Sequence, residues 1–410
     1  VKLCSMEGKG TVSKKVALVS ELLSSASPLE AKYIVRTVLE ALRTGVGDSM
    51  VRDSLVLAFV SEEVNKEDVE KVQDAFNVAN DFGEIAVILQ EKGLEGLEEV
   101  KLAVGKPLKV MLYPKVGSVA EGFEIVGSPA VIEPKLDGFR VQIHRKKDEV
   151  KLFTRRLDEV TRQFPDVVKA VKDYVRSKEI ILDTEVVGID PETKRTLPFQ
   201  EISQRIRRKH DIASVVKKIP VCITVFDVLE LNGENMLEVP LEERKAKLKS
   251  VLKVEKNVIE MIDQLVTDDV KKGEKFYRDC LDQGHEGVMM KKQEGVYKPG
   301  KRVGLGVKVK PVMEPLDLVI VAAEWGEGKR AKWLSSFTVA CRDGDKLLKI
   351  GKVGTGIKEK SEEGVSFEEL TKLLKIDIIE EKGRQVVVKP KVILELLYEE
   401  IQKSSNYESG

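Results

Sequence analysis

At 410 residues the chain exceeds what one ordinary hydrophobic core organises, so two or three domains are expected. Hydrophobic residues make up 42%, enough to fill such cores, and no low-complexity stretch argues for disorder. No apolar run approaches the roughly 18 residues that suggest a membrane span, and no signal peptide is evident, so neither a membrane protein nor a secreted one is expected. The chain begins at Val1, which suggests that its natural start lies upstream. The cysteines Cys4, Cys222, Cys280 and Cys341 lie far apart with no C-x-x-C, which excludes a clear zinc ribbon and a disulfide framework. A reduced setting follows: cytoplasmic, or nuclear if the source is eukaryotic. Net charge is +0, whereas nucleic-acid proteins are often clearly basic. Charge is nonetheless segregated. Between Glu286 and Lys310 stand Lys291, Lys292, Lys298, Lys301, Arg302 and Lys308. Between Gln204 and Lys218 stand Arg205, Arg207, Arg208, Lys209 and Lys217. Acidic helices such as Glu359–Glu369 restore neutrality.

Residues 1–105 read as helical. Ser27-Pro28-Leu29-Glu30 is a capping box with proline at the first helical position. Behind it Val35, Val38, Leu39 and Leu42 form an apolar stripe, and Gly45 ends the helix. A further helix starts after Gly47, capped by Asp48 or Ser49, and carries Val51, Leu55 and Phe59. Its free N–H groups, beside Arg43 and Arg52, suit backbone phosphates, although a tight helical hairpin explains the same residues. Residues 106–116, with Pro107 and Pro114, read as a linker. From about 130 to 311, β-branched runs alternate with helices without the regular spacing of a parallel sheet, an α+β pattern. Residues 312–410 read as five strands with one helix over 366–375, a size that suits a small OB-fold barrel.

Chemistry concentrates in the middle segment. Glu133-Pro-Lys135-Leu-Asp137-Gly138-Phe-Arg140 holds a K-x-D-G that alone reads as a strand end before a turn. Asp183 and Glu185 fall on one face of a strand, roughly 7 Å apart, where paired carboxylates can hold magnesium or ribose hydroxyls. Phe226 is an aromatic among strand residues: a core phenylalanine by default, a base-stacking platform as the functional reading. Glu286-Gly-Val-Met-Met-Lys291 puts a carboxylate and a lysine at opposite ends of a strand. Val307-Lys308-Val309-Lys310 sets both lysines on one face, a solvated edge or, in a cleft, a phosphate clamp.

Together these islands resemble the covalent nucleotidyltransferase superfamily of DNA ligases, RNA ligases and mRNA-capping enzymes. Lys135-x-Asp-Gly-x-Arg140 is similar to its motif I and Phe153-Thr-Arg155-Arg156 to motif Ia. Asp183-x-Glu185 is similar to motif III and Phe226-Asp227 to motif IIIa. Glu286–Lys291 is similar to motif IV, and Lys308-x-Lys310 to motif V. The order and spacing match across this segment, and flanking text such as Leu29–Arg36 and Pro198-Phe-Gln200 resembles the archaeal and eukaryotic ATP-dependent DNA ligases. The resemblance implies a multi-domain chain: an all-α DNA-binding domain over 1–105, an α+β adenylation domain over 106–311, and an OB-fold β-barrel over 312–410.

It also implies the chemistry. Lys135 would attack the α-phosphate of ATP as the neutral amine and hold AMP as a phosphoramidate. Arg140, Lys308 and Lys310, with Mg²⁺, would stabilise the phosphate in flight. Glu185 and Glu286 are the expected metal or ribose partners, Lys291 a nucleotide contact, Phe226 the adenine platform, and Glu133 a marker of the base edge. Arg155 would bind the 5′-phosphate of a nick, and Arg43 and Arg52 duplex phosphates. The expected substrate is nicked duplex DNA bound by a monomer, with a sliding clamp as a candidate further partner. Two departures stand out. Relatives usually carry a tryptophan just before the motif V lysines, where Leu305-Gly306-Val307 stands here. The family's motif VI, R-x-D-K, has no match before Gly410, and the helical domain looks short at its amino end, so a fragment of a longer protein is expected. The alternatives are a capping enzyme, which usually lacks the helical domain, an RNA ligase, an NAD-dependent ligase, which has alanine at the Arg140 position and a four-cysteine zinc module, and a non-catalytic DNA-binding fragment.

Overall fold

A computed structural model describes residues 10–39, 45–208, 210–311, 313–359 and 365–398, together with residues 6, 401, 404, 406 and 407. The chain forms two compact units, Val1–Val309 and Lys310–Gly410.

The first unit opens with five helices: α1 (Thr11–Ser25), α2 (Pro28–Val38), α3 (Asp48–Phe59), α4 (Lys66–Ala79) and α5 (Phe82–Lys92). The capping box at α2 is formed, with the Ser27 N–H donating to Glu30 Oε2 at 2.8 Å while the Ser27 side chain accepts from the Glu30 N–H. α3 is capped by Gly47 rather than by a side chain of Asp48 or Ser49. α2 runs to Val38; residues 40–44, including Leu42 and Arg43, lie outside the described residues. The apolar stripe on α2 faces outward, with Val38 47% and Leu39 68% exposed. The helical core lies instead among α3, α4 and α5, around Val56, Val72, Phe76, Ile85 and Leu89, with the Phe76 ring stacked on Phe82.

Residues 106–116, read above as a linker, form a strap with apolar side chains buried. Leu108, Val110 and Met111 are nearly inaccessible, and Leu108 and Met111 pack with Ile181, Leu229, Leu237 and Tyr297. Those side chains hold the segment inside because extracting each large apolar group costs about 1.5–3 kcal/mol. Three alternate residues of one strand fasten the strap: Arg140 donates to Met111 O, Gln142 exchanges two hydrogen bonds with Leu108, and His144 Nδ1 accepts from the Gly105 N–H. The strap also reaches the helices, where the Lys109 N–H donates to Asn77 O at 2.8 Å.

Beyond the strap come β1 (Lys115–Val116), α6 (Val119–Val126), β2 (Ala130–Pro134), β3 (Phe139–Lys146), β4 (Glu149–Thr154), α7 (Pro165–Tyr174), β5 (Glu179–Ile189) and β6 (Thr196–Leu197). Next are α8 (Phe199–Ile206), α9 (Ile212–Lys218), β7 (Val221–Leu231), β8 (Glu234–Asn235), α10 (Leu241–Val251), β9 (Ile259–Met261), β10 (Leu265–Thr267), α11 (Val270–Asp282), β11 (Val288–Lys292) and β12 (Gly306–Val309). They build two sheets. One runs β4-β3-β5-β7-β8, with β6 on β5 and β9 parallel to β7. The other runs β1-β12-β11-β2-β10. The mixture of antiparallel ladders and packed helices is an α+β arrangement.

The second unit holds β13 (Leu316–Trp325), β14 (Leu334–Asp343), β15 (Lys346–Val353), α12 (Phe367–Lys375), β16 (Ile378–Lys382), β17 (Gln385–Val388) and β18 (Ile393–Leu396). Its antiparallel sheet runs β15-β14-β13-β17-β16, and β18 shares one edge of β13 with β17. That is six strands where the sequence suggests five, because Ile378–Lys382 is polar and exposed along most of its length. α12 begins at Phe367 behind a Ser366 cap, so Glu359 is no part of an acidic helix; its carboxylate pairs with Lys329 and Arg330.

Arg205, within one of the basic runs, is structural: only 1% exposed, it pairs with Asp166 and donates to Ile219 O and Gln163 O above the Phe164 ring. Removing one partner of such a buried network typically costs about 3–5 kcal/mol. Arg205→Ala should therefore lower stability by about 3 kcal/mol, read as a reduced urea midpoint. Arg205→Lys should not restore it, since a single ammonium cannot span the fork's partners.

Candidate functional site

The motif lysine is fixed by its backbone. Lys135 follows β2, its N–H donates to Gly287 O at 2.8 Å, and its carbonyl accepts from the Glu286 N–H at 2.9 Å. This short antiparallel junction delivers both side chains to one place, with Lys135 Nζ 2.7 Å from Glu286 Oε2. Gly138 completes the turn into β3 at close quarters: a Cβ there would lie 2.6 Å from Val186 O and 3.1 Å from Glu185 Cγ. Only glycine lets β3 lie this close to β5.

Register then sets the next residues. Arg140 on β3 stands opposite Glu185 on β5, and Gln142 opposite Asp183. Arg140 forks onto Asp183, with Nε to Oδ1 at 2.9 Å and a terminal nitrogen to Oδ2 at 2.6 Å. Asp183 is fully buried and also accepts the Tyr297 hydroxyl at 2.9 Å. Its oxygens are thus committed within the protein, and the metal-or-ribose pair read at Asp183 and Glu185 reduces to Glu185. Burial, with Asp183 and Glu286 nearby, pushes the Glu185 carboxyl up to about 8 despite the opposing Lys135 and Arg140 charges.

A second cluster joins the two sheets. Glu133 on β2 is 1% exposed and lies between Lys245 of α10 and Lys291 of β11, the latter at 2.6 Å. Burial alone would raise its carboxyl, but the two ammonium groups outweigh it and hold Glu133 below the ordinary carboxylate range. Lys291 Nζ also sits 4.9 Å from the centroid of Phe226 on β7, and the Arg140 guanidinium 5.4 Å from it. Behind Phe226, Asp227 pairs through both oxygens with Arg244 of α10. In the β2-β11-β12-β1 sheet, Glu133, Met289, Lys308 and Lys115 form one cross-strand row. Val307 and Val309 point into the core, while Lys308 is partly exposed. Lys310 follows as the first residue of the second unit.

The structure thus brings Lys135, Glu286, Glu185 and Arg140 together, and places Glu133, Lys291 and Phe226 beside them. Arg155 lies apart, exposed in the turn after β4, at the same end of the sheet as Arg140 because Thr154 pairs with Val141. Arg52 turns inward: its guanidinium donates to Asp53 Oδ1 and to Gln73 Oε1. Arg43 is among the residues outside the description.

Several site residues escaped sequence reading. Lys245, Arg244 and Tyr297 carry no local motif, and Tyr113 sat in the supposed linker. At the motif V departure Tyr113 packs on Gly306: a Cβ there would lie 2.6 Å from its ring, so the tyrosine fills the space above that glycine. Burial pushes the Tyr113 phenol up to about 12, so it stays neutral. The apolar run Val110-Met-Leu-Tyr113 was the available signal.

Magnesium is the cofactor the chemistry suggests, and the donors fit it. Glu185 and Glu286 flank Lys135, and no cluster of three or more candidate ligands occurs among the described residues. Mg²⁺ normally takes one or two carboxylates plus substrate phosphates and water, so two glutamates suffice.

Family models agree along the chain. Residues 110–310 match the ATP dependent DNA ligase domain, residues 1–56 the DNA ligase N terminus, and residues 330–407 the ATP dependent DNA ligase C terminal region. The DNA ligase of Nanoarchaeum equitans is 51% identical over all of this chain and 72% of its own length. The DNA ligases of Thermococcus fumicolans and Methanopyrus kandleri are 40% and 42% identical, again over the whole chain, with 71% and 72% of the relatives covered.

A Gly138→Ala variant tests the close approach of β3 to β5. Its methyl group forces backbone away from Val186 O, and an ångström of misplacement between reacting groups costs on the order of 100-fold in rate. The ATP-dependent ligase reaction should slow by about that factor while circular dichroism still reports a folded chain. An unchanged rate would show that the loop tolerates the shift.

Proposed function

The chain belongs to the ATP-dependent DNA ligases, and from that premise we propose that Lys135 is the residue that takes AMP from ATP. The enzyme seals nicks in duplex DNA using ATP. The observation that carries the assignment is the Lys135–Glu286 junction, where two main-chain hydrogen bonds fix the amine beside a carboxylate.

In this reading the Lys135 amine attacks the α-phosphorus, a P–N bond forms, and the bond to pyrophosphate breaks. Glu286, at 2.7 Å from Nζ, orients the amine and is the nearest acceptor for its proton. Phe226 stacks on adenine, a platform kept in place by Arg140 and Lys291 at its ring. Glu133 acts at the base edge by holding Lys291 and Lys245 rather than by a free carboxylate, since both lysines engage it. Arg140 and Glu185, opposite each other across β3 and β5, contact the ribose. Lys308 and Lys310 stabilise the phosphate charge as it moves. Glu185 and Glu286 would hold magnesium, which when bound neutralises phosphate charge and polarises the phosphoryl oxygen.

Arg155 serves the later steps. Its exposure leaves the fork able to bind the 5′-phosphate of the nick, which accepts AMP from Lys135. The 3′-hydroxyl then attacks the adenylated end, the phosphodiester forms, and AMP leaves. The helical segment is assigned duplex phosphate contacts, with Arg52 shaping α3 through Asp53 and Gln73.

Lys135→Ala should abolish the acid-labile AMP label acquired from [α-³²P]ATP, and Lys135→Arg should fail equally, because a guanidinium stays protonated. A labelled Lys135→Ala protein would refute the assignment.

Arg155→Ala should load AMP at the normal rate yet pass it to nicked DNA about 100-fold more slowly, the usual scale for a lost positioning contact. Normal formation of adenylated DNA by this variant would return Arg155 to the solvated surface.

A further inference from the structure

Arg140 and Tyr297 are 157 residues apart and meet in one buried network. Tyr297 lies between β11 and β12 with its hydroxyl saturated. It donates to Asp183 Oδ2 at 2.9 Å, and accepts from the Met111 N–H at 3.2 Å and from an Arg140 terminal nitrogen at 3.1 Å. A hydroxyl has one donor and two acceptor sites, so its proton has a single direction left. The arginine is almost as fully engaged. Its Nε–H and one terminal N–H go to Asp183, another to Tyr297, and one to Met111 O. Of five N–H groups, a single one on the Met111-bound nitrogen has no partner among the described residues.

We propose that Tyr297 is a positioning residue for nucleotide capture, which holds Arg140 so that its one uncommitted N–H faces the ribose of ATP. This rests on the reading of Arg140 as a nucleotide contact. Asp183 fixes the plane of the guanidinium through two bonds, but a planar fork on one carboxylate can still rock about the shared axis. Tyr297 removes that freedom by bracing the same nitrogen that Asp183 holds and by fixing Met111, whose carbonyl anchors the other terminal nitrogen. The tyrosine ring is 1% exposed and cannot touch nucleotide itself, so it acts only through Arg140 and the strap.

The test is single-turnover loading of Lys135 over a range of ATP concentrations, for the parent chain, Tyr297→Phe, Arg140→Ala and the double variant. Phenylalanine keeps the ring packed and removes only the hydroxyl. Tyr297→Phe should weaken the half-saturating ATP concentration about tenfold, the scale of one hydrogen bond to a charged group. The maximal rate should stay within about twofold. In the Arg140→Ala background the same change should have no further effect, because the pair acts as one unit. A loss of maximal rate alone, an unchanged ATP dependence, or a tenfold effect that persists without Arg140 would overturn the proposal while leaving the Arg140 reading intact. Normal ATP dependence of Arg140→Ala would instead overturn that reading and the proposal with it. Thermal melts of each variant separate these outcomes from unfolding: a Tyr297→Phe chain that melts early yet binds ATP normally counts against the proposal.

Discussion

The bidentate bond between Arg140 and Asp183 is the constraint on which the site depends. Asp183 is fully buried and Arg140 largely so, where an unpaired charge is costly and a paired one is held strongly. The bond ties β3 to β5, which places Glu185 opposite Arg140 and sets the edge at which Gly138 lets the K-L-D-G loop turn. Through Met111 it also anchors the strap, and the strap carries the link to the helical segment at Asn77. Three of the site's carboxylates follow the same rule. Asp183 takes Arg140, Asp227 takes Arg244, and Glu133 takes two lysines. The outcome is a rigid polar wall, preorganised for a charged substrate without reorganisation at the moment of reaction.

Glu185 is the informative exception. Its carboxyl is pushed up to about 8 because burial and two neighbouring carboxylates outweigh the cations facing it. A carboxyl in that condition is held largely in its neutral form near neutral pH, and on the reading proposed above a magnesium ion would draw its proton off. Asp183, two residues earlier on the same strand, has none of this character because Arg140 and Tyr297 already satisfy it. The two members of the D-x-E motif therefore do opposite work: one stabilises the frame, the other stays available.

What the sequence disclosed was local, and what it hid was long-range. The capping box at Ser27 and Glu30, the strand from Leu316 to Trp325, and the alternation of Val307, Lys308 and Val309 all follow from short periodicities that folding leaves unchanged. The motifs could be found because each is a short run whose residues act together. Lys245, Arg244 and Tyr297 could not, since their importance arises from contacts 112, 17 and 114 residues away. The burial of the strap was hidden for a related reason. Pro107 and Pro114 signalled irregular backbone correctly, but irregular does not mean exposed. Its main-chain groups are satisfied by Gln142, Arg140 and Asn77 rather than by water.

The zero net charge, puzzling for a protein that handles DNA, loses its force once the charges are located. Formal charge counts a buried pair and an exposed side chain alike. Arg140, Arg205, Arg244, Lys245 and Lys291 are all spent on acidic partners, as is Arg52 on Asp53. Such pairs cancel where they stand and say nothing about the surface potential. The groups that could meet a phosphate backbone are those left outside this pairing, such as Arg155 at the rim of the seven-stranded sheet. Phosphate affinity depends on how many cations a duplex can neutralise at one face, a property of placement rather than of composition. A neutral chain can therefore present a basic working face, provided that its exposed acidic residues lie on other faces.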